Sequence, residues 1–142
     1  EGYNKQNKVA DGQWVYGHYL TEPTEVGRLS LEFVPHIRIP YGDHSTDIEI
    51  DPKTIGEYTG LKDKNGKEIY EGDVVKVTRY IGGNFVEYVY DHYVVSWLKY
   101  QWCMQPHNGN LHYPKVLQFN DNEECEVIGN IHDNPELLEK GK

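Results

Sequence analysis

Residues 58–77 read YTGLKDKNGKEIYEGDVVKV, a charge-dense stretch around Asn65-Gly66 that runs straight into an apolar strand. How this segment turns decides the fold. If Asn65-Gly66 alone formed a two-residue loop, Lys64 would face Lys67 and Asp63 would face Glu68, two like-charged and mutually repelling pairs. A type I turn over Asp63-Lys64-Asn65-Gly66, with Gly66 as a left-handed bulge residue, instead sets Asp63 against Lys67, Lys62 against Glu68 and Leu61 against Ile69. Every pair then agrees in charge or apolar character. Aspartate at the first turn position can bond local amides, and glycine tolerates the positive φ that the bulge demands. The segment therefore reads as a hairpin whose Lys and Glu side chains form a solvated rim. Beyond it, Gly72-Asp73 makes a tight corner and Val74, Val75 and Val77 enter a sheet.

Outward from the hairpin the pattern is that of strands. Residues 1–11 are polar and unpatterned, which suggests a loose arm. "GQWVYGHYL" and "TDIEIDPKTIGEYT" alternate apolar and polar positions, and Asp51-Pro52 turns the chain within the second. "LSLEFVPHIRI" alternates too, but Pro35 and Pro40 confine it to a sheet edge or break it. "IGGNF" marks a turn, and the aromatic run "FVEYVYDHYVVSWLKYQW" is too long for one strand, so a bend is expected near Asp91-His92. "KVLQF" and "CEVIGNI" supply two further short strands around the polar turn "NDNEE". In "DNPELLEK", Asn134 can cap a short C-terminal helix that begins with Pro135 and carries Glu136 near the positive end of its dipole.

Two blocks, "GEYTGLKDKNGKEIYEGDVV" at 56–75 and "EVIGNIHDNPELL" at 126–138, with "DGQWVYGHYL" at 11–20, give the chain a resemblance to the YopX-like proteins of bacteriophages and prophages. That resemblance implies an all-β fold with an SH3-like small β-barrel core and a phage or prophage origin. It brings no established activity and no catalytic residues. The domain expected is a single one over residues 1–142: the loose arm 1–11, an N-terminal strand region 12–57, and a barrel core with its closing helix over 58–138.

Composition narrows the function. A formal net charge of -9 sets the molecule against a phosphate backbone, so a nucleic-acid partner is disfavoured. Cys103 and Cys125 are too few for a disulfide framework, which suggests a reducing, cytoplasmic setting. No apolar run approaches the roughly 18 residues of a membrane span. The sequence starts at Glu1 rather than a methionine, so residues could be missing before it.

Catalytic, cofactor-binding and metal-binding residues are assigned to none of the positions. Asp63 and Asn65 are spaced as in a calcium loop, but Lys67 stands where a third oxygen ligand belongs. Cys103, His107, His112 and Cys125 offer two sulfurs and two nitrogens, yet their spacing is not that of a zinc finger and neither cysteine belongs to a C-x-x-C pair. Cys103 with a nearby histidine is also the minimal nucleophile and base, without an oxyanion hole or orienting carboxylate in sight. The most suggestive feature is aromatic content, 12 Tyr, 3 Trp and 3 Phe. Over residues 85–102 one alternation groups Val89, Tyr93, Val95 and Trp97, and the other groups Val86, Tyr88, Tyr90, Val94, Leu98, Tyr100 and Trp102. One face can be core, and the other can dock a partner, since Tyr and Trp dominate binding hot spots. The candidate partner surface is Tyr88, Tyr90, Tyr100 and Trp102, on a non-enzymatic binding or assembly module that forms a homo-oligomer or meets another protein. A metal-binding or enzymatic domain, or a small barrel stacking single-stranded nucleic acid on its aromatics, is the alternative.

Overall fold

The computed structural model describes residues 4–8, 12–25, 31–81, 87–106, 114–119, 121 and 123–139. The fold is mainly β, and the chain divides into two compact units, Glu1–Tyr58 and Thr59–Lys142. In the first unit four antiparallel strands lie in the order β4-β3-β2-β1: β1 (Asn4–Lys8), β2 (Trp14–Glu25), β3 (Leu31–Tyr41) and β4 (His44–Glu49). The start of β5 (Gly56–Lys62) pairs with β1 through Lys5–Glu57 and Gln6–Gly56. Polar Asn4–Lys8 is thus a strand rather than a loose arm. It pairs with β2 along its whole length and with β5 at Lys5 and Gln6, and a ladder needs no apolar side chains.

The prolines of β3 do not break it. β2 pairs with residues 31–38 of β3 and β4 with residues 36–41. Pro35 therefore faces only Thr21, and Pro40 only Ser45, so each falls where β3 has a single neighbour. That satisfies the rule that a residue without an N–H belongs at an edge, within a strand that is internal over its middle. After β4, Ile50 is buried, and Asp51 caps a single 3-10 turn over Pro52–Thr54 by accepting a 3.0 Å bond from the Lys53 amide.

The second unit is an antiparallel sheet in the order β10-β9-β8-β7-β11, comprising β7 (Asp73–Ile81), β8 (Glu87–Leu98), β9 (Gln101–Pro106), β10 (Lys115–Val116) and β11 (Glu123–Asn130). The end of β5 and β6 (Glu68–Tyr70) form the arms of the hairpin that precedes it. Ile69 from this hairpin is fully buried with Val75, Val77, Tyr93, Val95, Met104, Leu117 and Cys125, and Trp102, Phe119 and Val127 pack around them.

Two sequence expectations about this unit are corrected. The SH3-like barrel does not close among the described residues. β10 is two residues long and pairs with β9, while the outer side of β11 is bonded by the hairpin, so no ladder joins the two ends of the sheet. The C-terminal helix is only one 3-10 turn, Pro135–Leu138. Asn134 does not cap it with its side chain, because its Oδ1 turns back to accept from the Asn130 amide at 3.4 Å. Four residues also cannot repay the cost of nucleating an α-helix. The expected turn at "IGGNF" falls largely outside the described residues, while in "NDNEE" Asp121 lies in a turn and Glu123 and Glu124 already belong to β11.

At the hairpin tip the type I turn with its bulge is present. The Gly66 amide donates to the Asp63 carbonyl at 3.0 Å, the Asp63 amide donates to the Lys67 carbonyl at 2.8 Å, and Gly66 has φ +80°. The solvated rim needs amending, because Asp63 is only 7% exposed. Its Oδ1 accepts from the amides of Asn65 and Lys67 at 2.8 and 2.9 Å, and its Oδ2 accepts from the Val127 amide of β11 at 3.0 Å. The Lys64 amide donates to the Cys125 carbonyl at 2.9 Å, and the Lys64 ammonium lies 3.2 Å from Glu126 and 3.8 Å from Glu124. The turn thus docks on the outer edge of β11. Burial alone would push the Asp63 carboxyl up, but the three amides and the nearby Lys67 charge outweigh it and hold the group below its ordinary value.

Two stability tests follow. Gly66→Val should cost about 1 kcal/mol in urea unfolding, through backbone strain alone, since a Cβ at Gly66 meets nothing within 4 Å. Asp63→Ala should cost more, about 2 kcal/mol, because it leaves three part-buried amides without their acceptor. Because the native Asp63 pKa is lowered, its contribution is fully present above about pH 4 and is lost as pH falls through the lowered value. The gap between wild type and Asp63→Ala should therefore narrow on acidification, and an unchanged gap counts against the tie.

Candidate functional site

β8 runs without interruption through Asp91 and His92, where a bend was expected, because residues 87–94 keep a continuous register with β7. The reversal comes later. Leu98 pairs with Gln101, so Lys99 and Tyr100 alone form the loop between β8 and β9, with φ of +48° and +67°. Positive φ at both loop residues is the geometry that matches strand twist in a two-residue hairpin, and it ordinarily selects Asn-Gly. Lys-Tyr carries no such signature, which is why the turn escaped the sequence reading.

This hairpin regroups the aromatic residues. Trp97 lies directly opposite Trp102, so Trp102 belongs with the alternation of Tyr93, Val95 and Trp97 and not with that of Tyr88, Tyr90 and Tyr100. The two indoles meet edge to face, with centroids 4.9 Å apart and planes at 71°, a geometry worth roughly 1 kcal/mol beyond area burial. Trp102 is partly buried against the core, whereas Trp97 is 49% exposed and Tyr100 is 94% exposed. Tyr88 and Tyr90 lie in β8 opposite Tyr80 and Thr78, and their side chains are outside the described residues. Of the candidate partner surface, the structure therefore gathers Tyr100 and Trp102 at one hairpin end and adds Trp97, which the alternation had assigned to the core.

Next to this tip a cavity of about 300 Å³ is lined by Leu98, Lys99, Gln101, Cys103 and Pro114. Its volume is at the lower end of the range for ligand pockets. Leu98, Gln101 and Cys103 share one side of the sheet, since Leu98 opposes Gln101 and Cys103 opposes Ser96. Cys125 opposes Val77 on the core side. The two cysteines thus occupy opposite faces and cannot hold one metal ion together. Burial, reinforced by Asp63, Asp73 and Glu126, pushes the Cys125 thiol up to about 12, which keeps it protonated at neutral pH. His107 and His112 lie outside the described residues, and among those described no group of three or more His, Cys, Asp or Glu side chains is placed to hold a metal ion. No helix among them is long and apolar enough to cross a membrane.

The two sequence blocks at 56–75 and 126–138 also meet in space. Asp63 bonds Val127, and the Ile131 amide donates to the Gly72 carbonyl at 2.9 Å while the Gly72 amide donates to the Val95 carbonyl at 2.8 Å. The protein is thus a mainly β molecule whose docked hairpin and strand β11 form one supporting element and whose β8–β9 hairpin carries exposed aromatics. The YopX protein family matches residues 6–139, and the chain belongs to it. A crystal structure of protein EF1440 from Enterococcus faecalis is similar to it at 22% identity, with a TM-score of 0.49 and 97% of each chain covered. No curated protein matches the chain.

The left-handed loop is a strain that the aromatic tip carries. Replacing Lys99-Tyr100 by Asn-Gly should stabilise the chain by about 1 kcal/mol in urea unfolding, because those residues adopt positive φ readily. A loss of stability would show that Lys99 or Tyr100 makes a compensating contact.

Proposed function

We propose that this YopX protein is a non-enzymatic binding or assembly module of phage or prophage origin, working in the cytoplasm, and that a second copy of the chain is among its partners. The observation that carries the reading is the β8–β9 tip, where a 94% exposed tyrosine is held on a strained loop next to the half-exposed Trp97. Strain kept at an exposed aromatic residue, where Asn-Gly would relieve it, is what a contact surface selected for recognition would retain. Aromatic side chains supply large contact area at small entropic cost, and they anchor interfaces when a partner excludes water from them. Membership of the YopX family, together with the resemblance of its two sequence blocks to the YopX-like proteins of bacteriophages and prophages, supports the phage origin.

The test is a comparative pull-down from host bacteria carrying the phage or prophage, using wild type, Tyr100→Asp and Trp97→Ser. Proteins retained by wild type and lost by both variants, with circular dichroism unchanged, support the reading. Equal retention by all three overturns the assignment of the tip. Added single-stranded DNA that competes for the tip, with an affinity falling steeply as salt rises, would favour nucleic-acid stacking instead.

A further inference from the structure

We infer that the free edge of β4 is where two copies of this chain join, pairing β4 with β4 across a two-fold axis perpendicular to the sheet. The inference rests on the self-association proposed above but assigns it to a surface other than the β8–β9 tip, which is left to other partners. Among the described residues β4 is the outermost strand of its sheet, bonded to β3 on one side only, and residues 40–47 are exposed. Its sequence, HSTDIE, has no proline or lysine and its register with β3 is regular, so the carboxylates of Asp47 and Glu49 are what would blunt this edge, and the pairing has to accommodate them. The outer side of β11, by contrast, is occupied by the Asp63 carboxylate and the Lys64 amide.

The backbone decides which groups β4 offers. Gly42 (φ +57°) and Asp43 form a two-residue loop closed by the pair Tyr41–His44. The closing pair of such a hairpin exchanges both backbone hydrogen bonds, and bonded pairs then alternate with unbonded ones. His44, Thr46 and Ile48 accordingly direct their backbone groups to β3. Ser45, Asp47 and Glu49 direct theirs outward.

A perpendicular two-fold axis must lie midway between a residue of β4 and the same residue of the second copy, because only then do facing residues direct their backbone groups alike. Centred on Asp47, the pairing sets two carboxylates against each other, which is unfavourable. Centred on Thr46, it sets Thr46 against Thr46 of the second copy and Ser45 against Asp47 of the second copy, twice. Each Ser45–Asp47 pair joins outward-directed backbone groups, the serine hydroxyl can donate to the carboxylate, and facing threonines are a favourable cross-strand pair. The Asp47 charge is already balanced by a two-pronged contact from Arg38, with Nε and Nη2 at 2.8 and 2.7 Å. The remaining like-charge approach, Asp43 to Glu49 of the second copy, falls at the exposed ends of the pairing, where water and salt screen it. Self-complementarity in charge and in backbone direction thus favours a second copy over an unrelated strand.

Sedimentation equilibrium of the full chain, up to about 100 μM as suits a small and weak interface, tests this. Wild type should be a reversible dimer. Thr46→Lys and Thr46→Glu each place like charges on the axis and should raise the dimer dissociation constant at least about tenfold, while an equimolar mixture of the two should restore association. Ser45→Pro, which removes an outward N–H and leaves the bonds to β3 intact, should also give monomer. A wild-type monomer throughout overturns both the edge pairing and the proposed self-association. A dimer that survives the Thr46 and Ser45 variants but is lost with Tyr100→Asp overturns the edge pairing alone, as does a Thr46→Lys and Thr46→Glu mixture that stays monomeric. A dimer of wild type that is displaced by an extended peptide from another protein, without loss in the Thr46 variants, also overturns it.

Discussion

The carboxylate of Asp63 is the point on which the second unit depends. It accepts two amides within its own turn and a third from Val127, 64 residues away in sequence. The local pair fixes the shape of the hairpin, and the distant amide fixes its position against β11. A buried carboxylate without partners would be costly. With three amides it is held ionised, so the charge that burial disfavours becomes the link between turn and sheet.

From that link the rest of the unit follows. The docked tip aligns β6, so that Ile69 enters the core between residues of β7, β8, β9 and β11. A few residues later Gly72 bonds Val95 of β8 through its amide and Ile131 through its carbonyl, which sets the corner from which β7 departs. The hairpin also occupies backbone groups on β11 that would otherwise be open to any extended chain. In this way an open sheet has one of its long edges closed without becoming a barrel. The Lys64 contacts with Glu124 and Glu126 are exposed and add little energy, but they match the charge of the tip to the strand beneath it.

The β8–β9 hairpin contrasts with this. Its loop uses Lys-Tyr in a conformation suited to Asn-Gly, and it leaves Trp97 and Tyr100 in water while Trp102 joins the core. The β5–β6 hairpin has the turn and bulge that its own residues favour, as expected of a structural element. Local disagreement between sequence and backbone is instead concentrated at the aromatic tip, where a functional surface would place it.

Legible from the residues alone were the type I turn at Asp63–Gly66, the corner at Gly72-Asp73, the core strand of Val74, Val75 and Val77, and the family, through two long blocks around these elements. Each is a local matter of turn chemistry, charge pairing or period-two alternation, which neighbours in sequence settle. Only tertiary structure decided that Asp63 is buried, because its third partner comes from β11, and that Asn4–Lys8 is a strand, because backbone pairing with β2 and β5 leaves no mark on side-chain pattern. It also decided that Pro35 and Pro40 fit inside β3, since the offset between β2 and β4 gives each a single neighbour. The grouping of Trp102 with Trp97 turned on loop length as well. A two-residue reversal at Lys99-Tyr100 sets which residues face one another, and no propensity of Lys or Tyr announces a loop held at positive φ.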